Sequence, residues 1–501
     1  MTVAWLASTE QSSDASPSAR ALARHASWNY AALVIQLGSS LAIYALAFRH
    51  LPRTDVGAFA LTAATVGLVQ ILDPAAGYVM SRVVAEREVG RAADEQVLPD
   101  VRAGLNTVAY GLAAVTGLGA LLALVLAIPA LGPPRLMMVA GVALAACVQL
   151  ASAALPATAL GLGDYRGLCE ASALTAAVTL AVAWLLLPPT GVAALGIALV
   201  AGQVSGRGLL FVRRRHDSPS MPASARPLGL AAVGELWRHS GAIYLSSLAA
   251  QLLAVSDLWT VGALRGVGST AAYRAGSMIP TQALSLFYRV YDVLYPRLPR
   301  MREAASQERA IALASRVFCA AAGCMFTAVF LERGPFTHLL VGSTDPLTEH
   351  VFALFCAIWL VNVPVHGLAL LLISRGKARV MTPVVLVEAA ANIAVSIVLV
   401  VLVGPIGAAI GTLATMAVSN LIVMPWIIGR LVSGAFRITW LGAGCCLLGV
   451  GVGATLQTPA ALGLHGLLGS ATVAAACLVS VVAAVWVAAG RQGRQVLRAH
   501  V

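Results

Sequence analysis

The sequence predicts an all-α, polytopic membrane protein with about 14 transmembrane helices. Three observations support this fold class. Of the 501 residues, 59% are hydrophobic and only 11% are charged, whereas an ordinary soluble domain has roughly 25% charged residues. The apolar residues fall in runs of about 20, which matches the thickness of a bilayer. Glycine is abundant, with 46 residues, and small side chains allow membrane helices to pack closely.

The apolar runs form three groups along the chain. Six lie in the first half, six follow a polar segment, and a final pair ends the sequence. The predicted spans are approximately 28–48, 56–79, 105–131, 136–160, 168–187, 192–212, 243–264, 271–298, 311–331, 351–373, 380–403, 406–428, 438–456 and 462–489. We therefore divide the chain into a cytoplasmic tail (1–26), an N-terminal six-helix lobe (27–212), a cytoplasmic linker (213–238), a C-terminal six-helix lobe (239–430), and two extra helices with a short cytoplasmic tail (431–501).

The positions of the basic residues test this count, because an error of one span would invert every later loop. With the N-terminus in the cytoplasm, and with Arg207, Arg274 and Arg297 near the ends of their spans counted with the adjoining loops, 25 of the 33 Lys and Arg residues fall in cytoplasmic segments, 6 in external loops and 2 within spans. This asymmetry predicts that both termini are cytoplasmic. The net charge of +12 therefore reflects the topology. The sequence has no basic face with interleaved aromatic residues, which nucleic-acid binding would require.

Short fragments recur between the two six-span groups at a nearly constant offset. Residues 163–166 resemble residues 376–379 at an offset of 213, and residues 193–196 resemble residues 408–411 at an offset of 215. An even number of spans per repeat gives two lobes of the same topology, related by an axis along the membrane normal. We therefore expect two pseudo-symmetric lobes around a central cavity. The alternative is chance similarity in an alanine-rich chain.

The cysteines and the other reactive residues give no sign of an enzyme. The eight cysteines lie in or beside apolar runs, without CxxC spacing or nearby histidines, and we interpret them as core residues. The sequence contains no Ser/His/Asp set, metal-ligand cluster or phosphate-binding glycine loop. We predict a non-enzyme without a cofactor or a metal.

A pattern spread over roughly residues 28–430 resembles a known family. In the first lobe it comprises residues 51–59, 73–77 and 81–82. In the second lobe it comprises Asp257, 266–270, Tyr273, 295–296, 376–379, Asn392 and 404–409. These stretches are similar to those of the polysaccharide transporters, or Wzx-type lipid-linked oligosaccharide flippases, of the multidrug/oligosaccharidyl-lipid/polysaccharide (MOP) exporter superfamily.

The resemblance implies a flippase in the bacterial inner membrane. Its cargo would be undecaprenyl-pyrophosphate-linked oligosaccharide for exopolysaccharide, O-antigen or capsule biosynthesis, moved by alternating access between the lobes. Besides this lipid and the membrane lipids, the implied partners are a polysaccharide polymerase and chain-length or export proteins. The alternatives are a cation-coupled multidrug exporter of the same superfamily, which usually has twelve spans, and a lipid II flippase. Lipid II flippases carry an arginine cluster in the first two spans, whereas the first span here has no arginine before Arg49.

Polar and ionisable residues inside the spans are the candidate site residues, because a charge at mid-membrane costs on the order of 2.5–3.5 kcal/mol. For ion coupling these are Asp257, Glu388 and Asp73. For the pyrophosphate, which guanidinium groups bind through paired hydrogen bonds, they are Arg289, Arg274 and Arg49. For the path of the sugar they are Asn29, Gln36, Gln251, Trp259, Gln282, Tyr288 and Asn392. The alternative for each is a structural role, as a local ion pair, a loop charge or an interhelical hydrogen bond.

Overall fold

Helices form every regular element in the described part of the chain. The structure is a computed structural model, and it describes residues 19–70, 113–114, 116–117, 132–153, 155–156, 159, 164–217, 230–294, 303–375 and 377–457. This confirms the predicted all-α class. Nine helices in these ranges are long and apolar enough to cross a membrane. The protein is therefore a multi-pass membrane protein. The last predicted span (462–489) and nearly all of the third (105–131) lie outside the described residues.

The helices are numbered here in chain order. The N-terminal set is α1 (Ala19–His50), α2 (Arg53–Gln70), α3 (Pro133–Ala151), α4 (Tyr165–Thr190) and α5 (Ala193–Asp217). The C-terminal set is α6 (Leu230–Arg265), α7 (Val267–Leu294), α8 (Ala304–Leu331), the short α9 (Arg333–Val341), α10 (Pro346–Ser374), α11 (Thr382–Val403), α12 (Ile406–Val418) and α13 (Met424–Ile428). A single π-helical turn (Ser419–Val423) joins α12 to α13, and α14 (Ala435–Gln457) follows.

Several helices extend beyond the apolar runs that predicted them. Helix α1 begins within the predicted tail 1–26, and α5 and α6 both continue into the predicted linker 213–238. A hydropathy window detects only the part of a helix that lies in hydrocarbon, whereas backbone hydrogen bonding continues past it. The lobe boundaries themselves stay a prediction.

Local sequence explains where several helices begin and end. The Asp164 side chain accepts a hydrogen bond from the amide of Gly167 (2.8 Å) at the start of α4, which is a typical N-cap. Gly266 and Gly404 follow α6 and α11 with φ of 86° and 83°, a left-handed conformation that favours glycine. The Arg265 guanidinium donates to the last carbonyls of α11, those of Val400 (2.8 Å) and Val401 (2.8 Å).

The two sets of helices pack in the same order. Helix α1 packs on α4 and α4 on α5, while α6 packs on α11 and α11 on α12. This recurrence supports the predicted repeat. The sets meet where α1 and α2 contact α6 and α7, and a shared apolar cluster there contains Ile43, Tyr44 and Phe59 together with Ala271 and Met278. We call the end at which α1 gives way to α2 the external end, following the predicted topology.

Helix α14 is an integral part of the C-terminal set, because glycines bring its backbone against α8. A Cβ added at Gly323 would overlap the Cys446 carbonyl, and one added at Gly449 would overlap the Ala320 carbonyl. Such close approach is characteristic of membrane helices that associate through small residues. The helix pair beyond the twelfth predicted span therefore has at least one member docked on the bundle.

Replacing Gly323 by Ala is expected to destabilise this contact, because the new methyl group would displace the backbone of α14. Overpacking of this kind costs about 1–3 kcal/mol. Unfolding of the detergent-solubilised protein would measure the loss. The matched control is Gly451→Ala on α14, where an added Cβ meets nothing within 4 Å. Equal stabilities for the two variants would contradict the close contact.

Candidate functional site

The carboxylate of Asp257 lies inside the C-terminal set of helices, in the outer part of the predicted seventh span. It sits on α6, two turns before the external end of that helix, and is only 2% exposed. The hydropathy pattern had already marked Asp257 as an unusual residue. Its burial shows that it faces other helices and not lipid, which is the usual situation of a functional charge in a membrane protein.

Four side chains from three neighbouring helices donate hydrogen bonds to this carboxylate. Tyr273 on α7 (2.8 Å) and Thr412 on α12 (2.6 Å) bond Oδ2. Ser396 (3.1 Å) and Asn392 (3.3 Å), both on α11, bond Oδ1. Hydrogen bonds to the charged form stabilise it, so these donors partly replace the water that Asp257 lacks.

Asn392 links this cluster to further hydroxyl groups on α12. Its side-chain oxygen accepts from Thr412 (3.0 Å) and Thr415 (3.2 Å) on α12. A threonine hydroxyl has only one proton, so Thr412 bonds either Asn392 or Asp257 at a given moment. The cluster can thus rearrange its hydrogen bonds around the carboxylate without moving a helix.

The charge on Asp257 has no counter-ion in the part of the chain that the structure describes. None of the ion pairs between described residues includes it. An ionised carboxylate in this position must gain a proton or a cation to avoid a large desolvation cost. Within the same ranges, no group of three or more His, Cys, Asp or Glu side chains could hold a metal ion.

A second buried carboxylate, Glu388, lies on α11. It precedes Ser396 by two helical turns and is therefore further from the external end. It is 8% exposed, and its Oε2 accepts a hydrogen bond of 2.7 Å from Ser419. Ser419 is the first residue of the π-helical turn between α12 and α13. Such turns change the direction of the side chains that follow and are frequent at functional sites. The neighbouring Asn420 has a buried Nδ2 with no partner among the described residues.

The predicted sugar-path residues do not form one surface. Gln36 donates to Ser172 across α1 and α4 (3.2 Å), and Trp259 donates to Thr65 across the two sets (3.0 Å). Tyr288 donates to Asn362 (2.8 Å) and stacks on His366 at 3.7 Å. Several of these residues therefore make interhelical contacts, which was the alternative for each of them. The remaining candidates are Asn392 in the Asp257 cluster, the exposed Gln251 and the half-buried Gln282.

Three predicted residues fall where little can be described. Asp73 lies outside the described residues, while Asn29 belongs to α1 and Arg289 to α7, but the side chains of these two are not described. All three stay predictions.

The three predicted phosphate-binding arginines lie at different depths. Arg49 ends α1 and donates to the Leu339 carbonyl (3.4 Å). Arg274, two turns into α7, lies 5.5 Å above the ring of Tyr44. Arg289 is on the same helix as Arg274 but 15 residues further on, which is about 22 Å of helical rise. One pyrophosphate cannot contact Arg274 and Arg289 together. Each residue's role stays a prediction.

Charged residues also tie the two sets together at the external end. Arg53 on α2 pairs with Asp345 at the start of α10 (3.2 Å). Burial opposes the charge of Asp345, but hydrogen bonds from Thr348 and from Arg53 outweigh it and hold the pKa of this carboxyl below its usual value. The ion pair is therefore kept at neutral pH and is lost only as the pH falls through that lowered pKa. Within the N-terminal set, Asp55 pairs with Arg135 at 2.7 Å.

Sequence reasoning missed the hydroxyl partners of the two carboxylates. Ser396 follows Asn392 by four residues, and Asn392 follows Glu388 by four, so the helical period could have placed these three on one face. Thr412 and Ser419 carried no comparable signal, because serine and threonine are common in membrane helices and often bond only their own backbone.

These helices, paired in the same order in two sets, form an all-α membrane fold. Solved structures similar to it include multidrug resistance MATE family transporters of the MOP superfamily and a lipid II flippase. The chain is similar to the lipid II flippase MurJ in an inward closed conformation, with a TM-score of 0.64 and 10% identity over 95% of this chain and 99% of that one. It is also similar to an inward-facing multidrug resistance MATE family transporter, with a TM-score of 0.60 and 14% identity over 81% and 95%.

A eukaryotic MATE transporter gives nearly the same result, with a TM-score of 0.60 and 14% identity over 85% of this chain and 99% of that one. No family model and no curated protein sequence matches the chain. The structural neighbours are transporters and not enzymes, which agrees at this coarse level with the predicted class. At these identities the similarity establishes the fold and not the cargo.

Proposed function

We propose that this protein is a flippase that moves undecaprenyl-pyrophosphate-linked oligosaccharide repeat units across the bacterial inner membrane, for exopolysaccharide, O-antigen or capsule biosynthesis. The observation that carries the proposal is the docking of α14 on α8, because it adds a helix to the twelve-span plan that multidrug exporters usually follow. The similarity to a lipid flippase over nearly the whole chain agrees with this.

Two features of the sequence separate the proposed cargo from lipid II. The first predicted span, 28–48, contains no arginine. The resemblance of residues 51–59 and 404–409 is to polysaccharide exporters. We therefore favour a lipid pyrophosphate that carries an oligosaccharide for a surface polymer.

In this proposal the cations meet the pyrophosphate in succession. Arg289 lies towards the cytoplasmic end of α7, while Arg274 and Arg49 lie near the external end. A pyrophosphate that enters from the cytoplasmic leaflet meets Arg289 first and is released near the other two. Guanidinium groups suit each step because they bind phosphate through paired hydrogen bonds.

Asp257 is the ion-coupling group of the proposed cycle. Its four hydrogen-bond donors favour the charged state, whereas its burial and the lack of a permanent counter-ion among the described residues favour uptake of a proton or a cation. Binding and release of a cation at this carboxylate would favour different arrangements of the two lobes.

Reconstituted protein tests the cargo directly. Vesicles containing the full chain and a labelled undecaprenyl-pyrophosphate oligosaccharide should show transfer of the label to the opposite leaflet. Arg289→Ala should slow the transfer about 10-fold, the effect of losing a charge-assisted hydrogen bond of about 1.5 kcal/mol. The control is Arg309→Ala, a substitution of an exposed arginine near the cytoplasmic end of α8.

Two parallel assays identify the alternatives. Transfer of labelled lipid II at the same rate would support a lipid II flippase, and uptake of an organic cation without lipid transfer would support a multidrug exporter. Either result would overturn the assignment of cargo.

A further inference from the structure

A row of six polar side chains, five of them buried and one half-buried, lies along the contact between α11 and α12, close to Asp257 at one end and ending at Glu388. We call it the polar seam, and its residues are Glu388, Asn392 and Ser396 on α11 and Thr412, Thr415 and Ser419 on α12 and the π-helical turn. On α11 the residues recur every four positions, and on the facing segment every three or four, so each series lies on one helical face.

Each level of the seam is joined by hydrogen bonds across the two helices. Ser396 donates to the Ala408 carbonyl (3.3 Å), Thr415 donates to Asn392 (3.2 Å), and Ser419 donates to Glu388 (2.7 Å). Asp257 accepts from three members of the seam, as described above. The seam therefore extends from Asp257 to Glu388, towards the cytoplasmic end of the helices, beside an apolar cluster that contains Leu253, Ala389 and Met416.

The repeat shows that packing alone does not require this polarity. Gly191 and Gly404 end α4 and α11, and aligning them gives an offset of 213 for this helix pair. Glu388 and Asn392 then correspond to Thr175 and Thr179 on α4, while Thr415 and Ser419 correspond to Gly202 and Gly206 on α5. These residues make the same pairs, since Gly202 lies against Thr179 and Gly206 against Thr175.

In the N-terminal set the corresponding hydroxyls bond only their own helix, through the Ala171 and Thr175 carbonyls. The equivalent helix contact is thus built there from threonine and glycine, without a titratable group. The carboxylate and amide of the C-terminal set are additions to the same architecture. Buried polar groups in a membrane span are costly, so their presence in one set alone indicates a function.

We propose that Glu388 is the proton-loading residue of the seam, which takes up a proton from the cytoplasmic side and passes it to Asp257. This proposal deepens the proposed function, because it rests on Asp257 as the coupling group. The rise from Glu388 to Asn392 is one helical turn, about 6 Å. Asn392 already bonds Asp257, so in this proposal water molecules along the seam would complete the path from Glu388 to Asp257.

The π-helical turn lies at the Glu388 end of this path and favours its role there. It directs the Ser419 hydroxyl at Glu388 and leaves the buried amide nitrogen of Asn420 beside it without a partner among the described residues. An unpaired buried donor of this kind is a place where water binds. In the transfer, one proton leaves Glu388 and one reaches Asp257, and each intervening water gives one proton and receives one.

No charged side chain competes with this transfer in the described part of the site. On α6 the ionisable residues with described side chains are Asp257 and Arg265, and Arg265 bonds the external end of α11. Helix α12 and the π-helical turn carry none. The turn before α11 carries Arg379, and α10 carries His366, which stacks on Tyr288. Neither forms an ion pair with Glu388, whose bond is to Ser419.

Infrared spectroscopy of the full chain in sealed vesicles tests the relay without any cargo. The carboxyl band of Asp257 is identified by its loss in Asp257→Asn and is then followed after a rapid pH step. In Glu388→Gln we expect the band to change at least 10-fold more slowly than in the wild type, with the same final amplitude. Glu388→Asp should restore most of the rate, and Ser419→Ala should give an intermediate rate.

The matched control is Glu303→Gln, which changes an exposed glutamate at the start of α8. An unchanged rate in Glu388→Gln overturns the relay, and so does a loss of the final amplitude, which would indicate a structural role. A band that does not respond to pH in the wild type overturns the relay and the coupling role of Asp257 together. A wrong cargo leaves all of these results unchanged and appears only in the lipid-transfer assay.

Discussion

Replacing Asp257 by Asn is expected to abolish ion-driven transport while leaving the protein folded. Asn has nearly the same shape, and its oxygen can accept from Ser396 while its NH2 group donates to the Tyr273 hydroxyl, but it cannot take up a proton or carry a charge. The driven rate should fall about 100-fold, near the upper end of the 5–150-fold effects that a coupling free energy of about 1–3 kcal/mol produces. Exchange of cargo without a gradient should continue, because it does not require the ion.

The measurement is the initial rate of lipid transfer in vesicles with and without an imposed gradient of protons or of sodium. The coupling ion is the one whose gradient accelerates transfer in the wild type but no longer does so in Asp257→Asn. Asp164→Asn is the matched control, because that aspartate caps α4 and asparagine caps a helix equally well. A full gradient response in Asp257→Asn would remove this residue from the coupling mechanism.

Replacing Gly57 by Ala is expected to prevent the external end from closing. Gly57 on α2 lies directly against α7, where an added Cβ would overlap the Val267 carbonyl. Overpacking costs about 1–3 kcal/mol, which corresponds to a shift of roughly 5–150-fold towards a state in which α2 and α7 have separated. Because each cycle must pass through the closed state, transport should fall by up to the same factor, about 5–150-fold.

Hydrogen–deuterium exchange measures this opening in the unlabelled protein. Amides in the first turns of α2 and α7 should exchange faster in Gly57→Ala than in the wild type. Gly67→Ala provides the control on the same helix, because an added Cβ there meets nothing within 4 Å. If both variants exchange alike and transport normally, the close approach at Gly57 does not limit closure.

The sequence was sufficient for the fold class and for the positions of the charges. Long apolar runs predicted the helices because a bilayer requires about 20 apolar residues per span. Asp257 and Glu388 were conspicuous for the same reason, as rare carboxylates within such runs. The caps at Asp164 and Gly404 also have local sequence signatures.

The parts that sequence could not predict depend on which helices face one another. Nothing local shows that Thr412 lies against Asp257, 155 residues away, or that Gly57 lies against Val267. The depth of Arg289 relative to Arg274 required the continuous helix α7, on which the two are about 22 Å apart. The π-helical turn at Ser419 has no sequence rule, and it sets the direction of the side chain that bonds Glu388.

The contact of Arg265 with α11 has a consequence for how the ion site works. This arginine ends α6 and holds the last carbonyls of α11, so the helix that carries Asp257 and the helix that carries Asn392 and Ser396 are fastened at their external ends. In the proposed cycle these two helices move together. A difference in ion affinity between the two arrangements of the lobes then comes from the bonds that reach Asp257 from outside this pair, those of Tyr273 on α7 and Thr412 on α12.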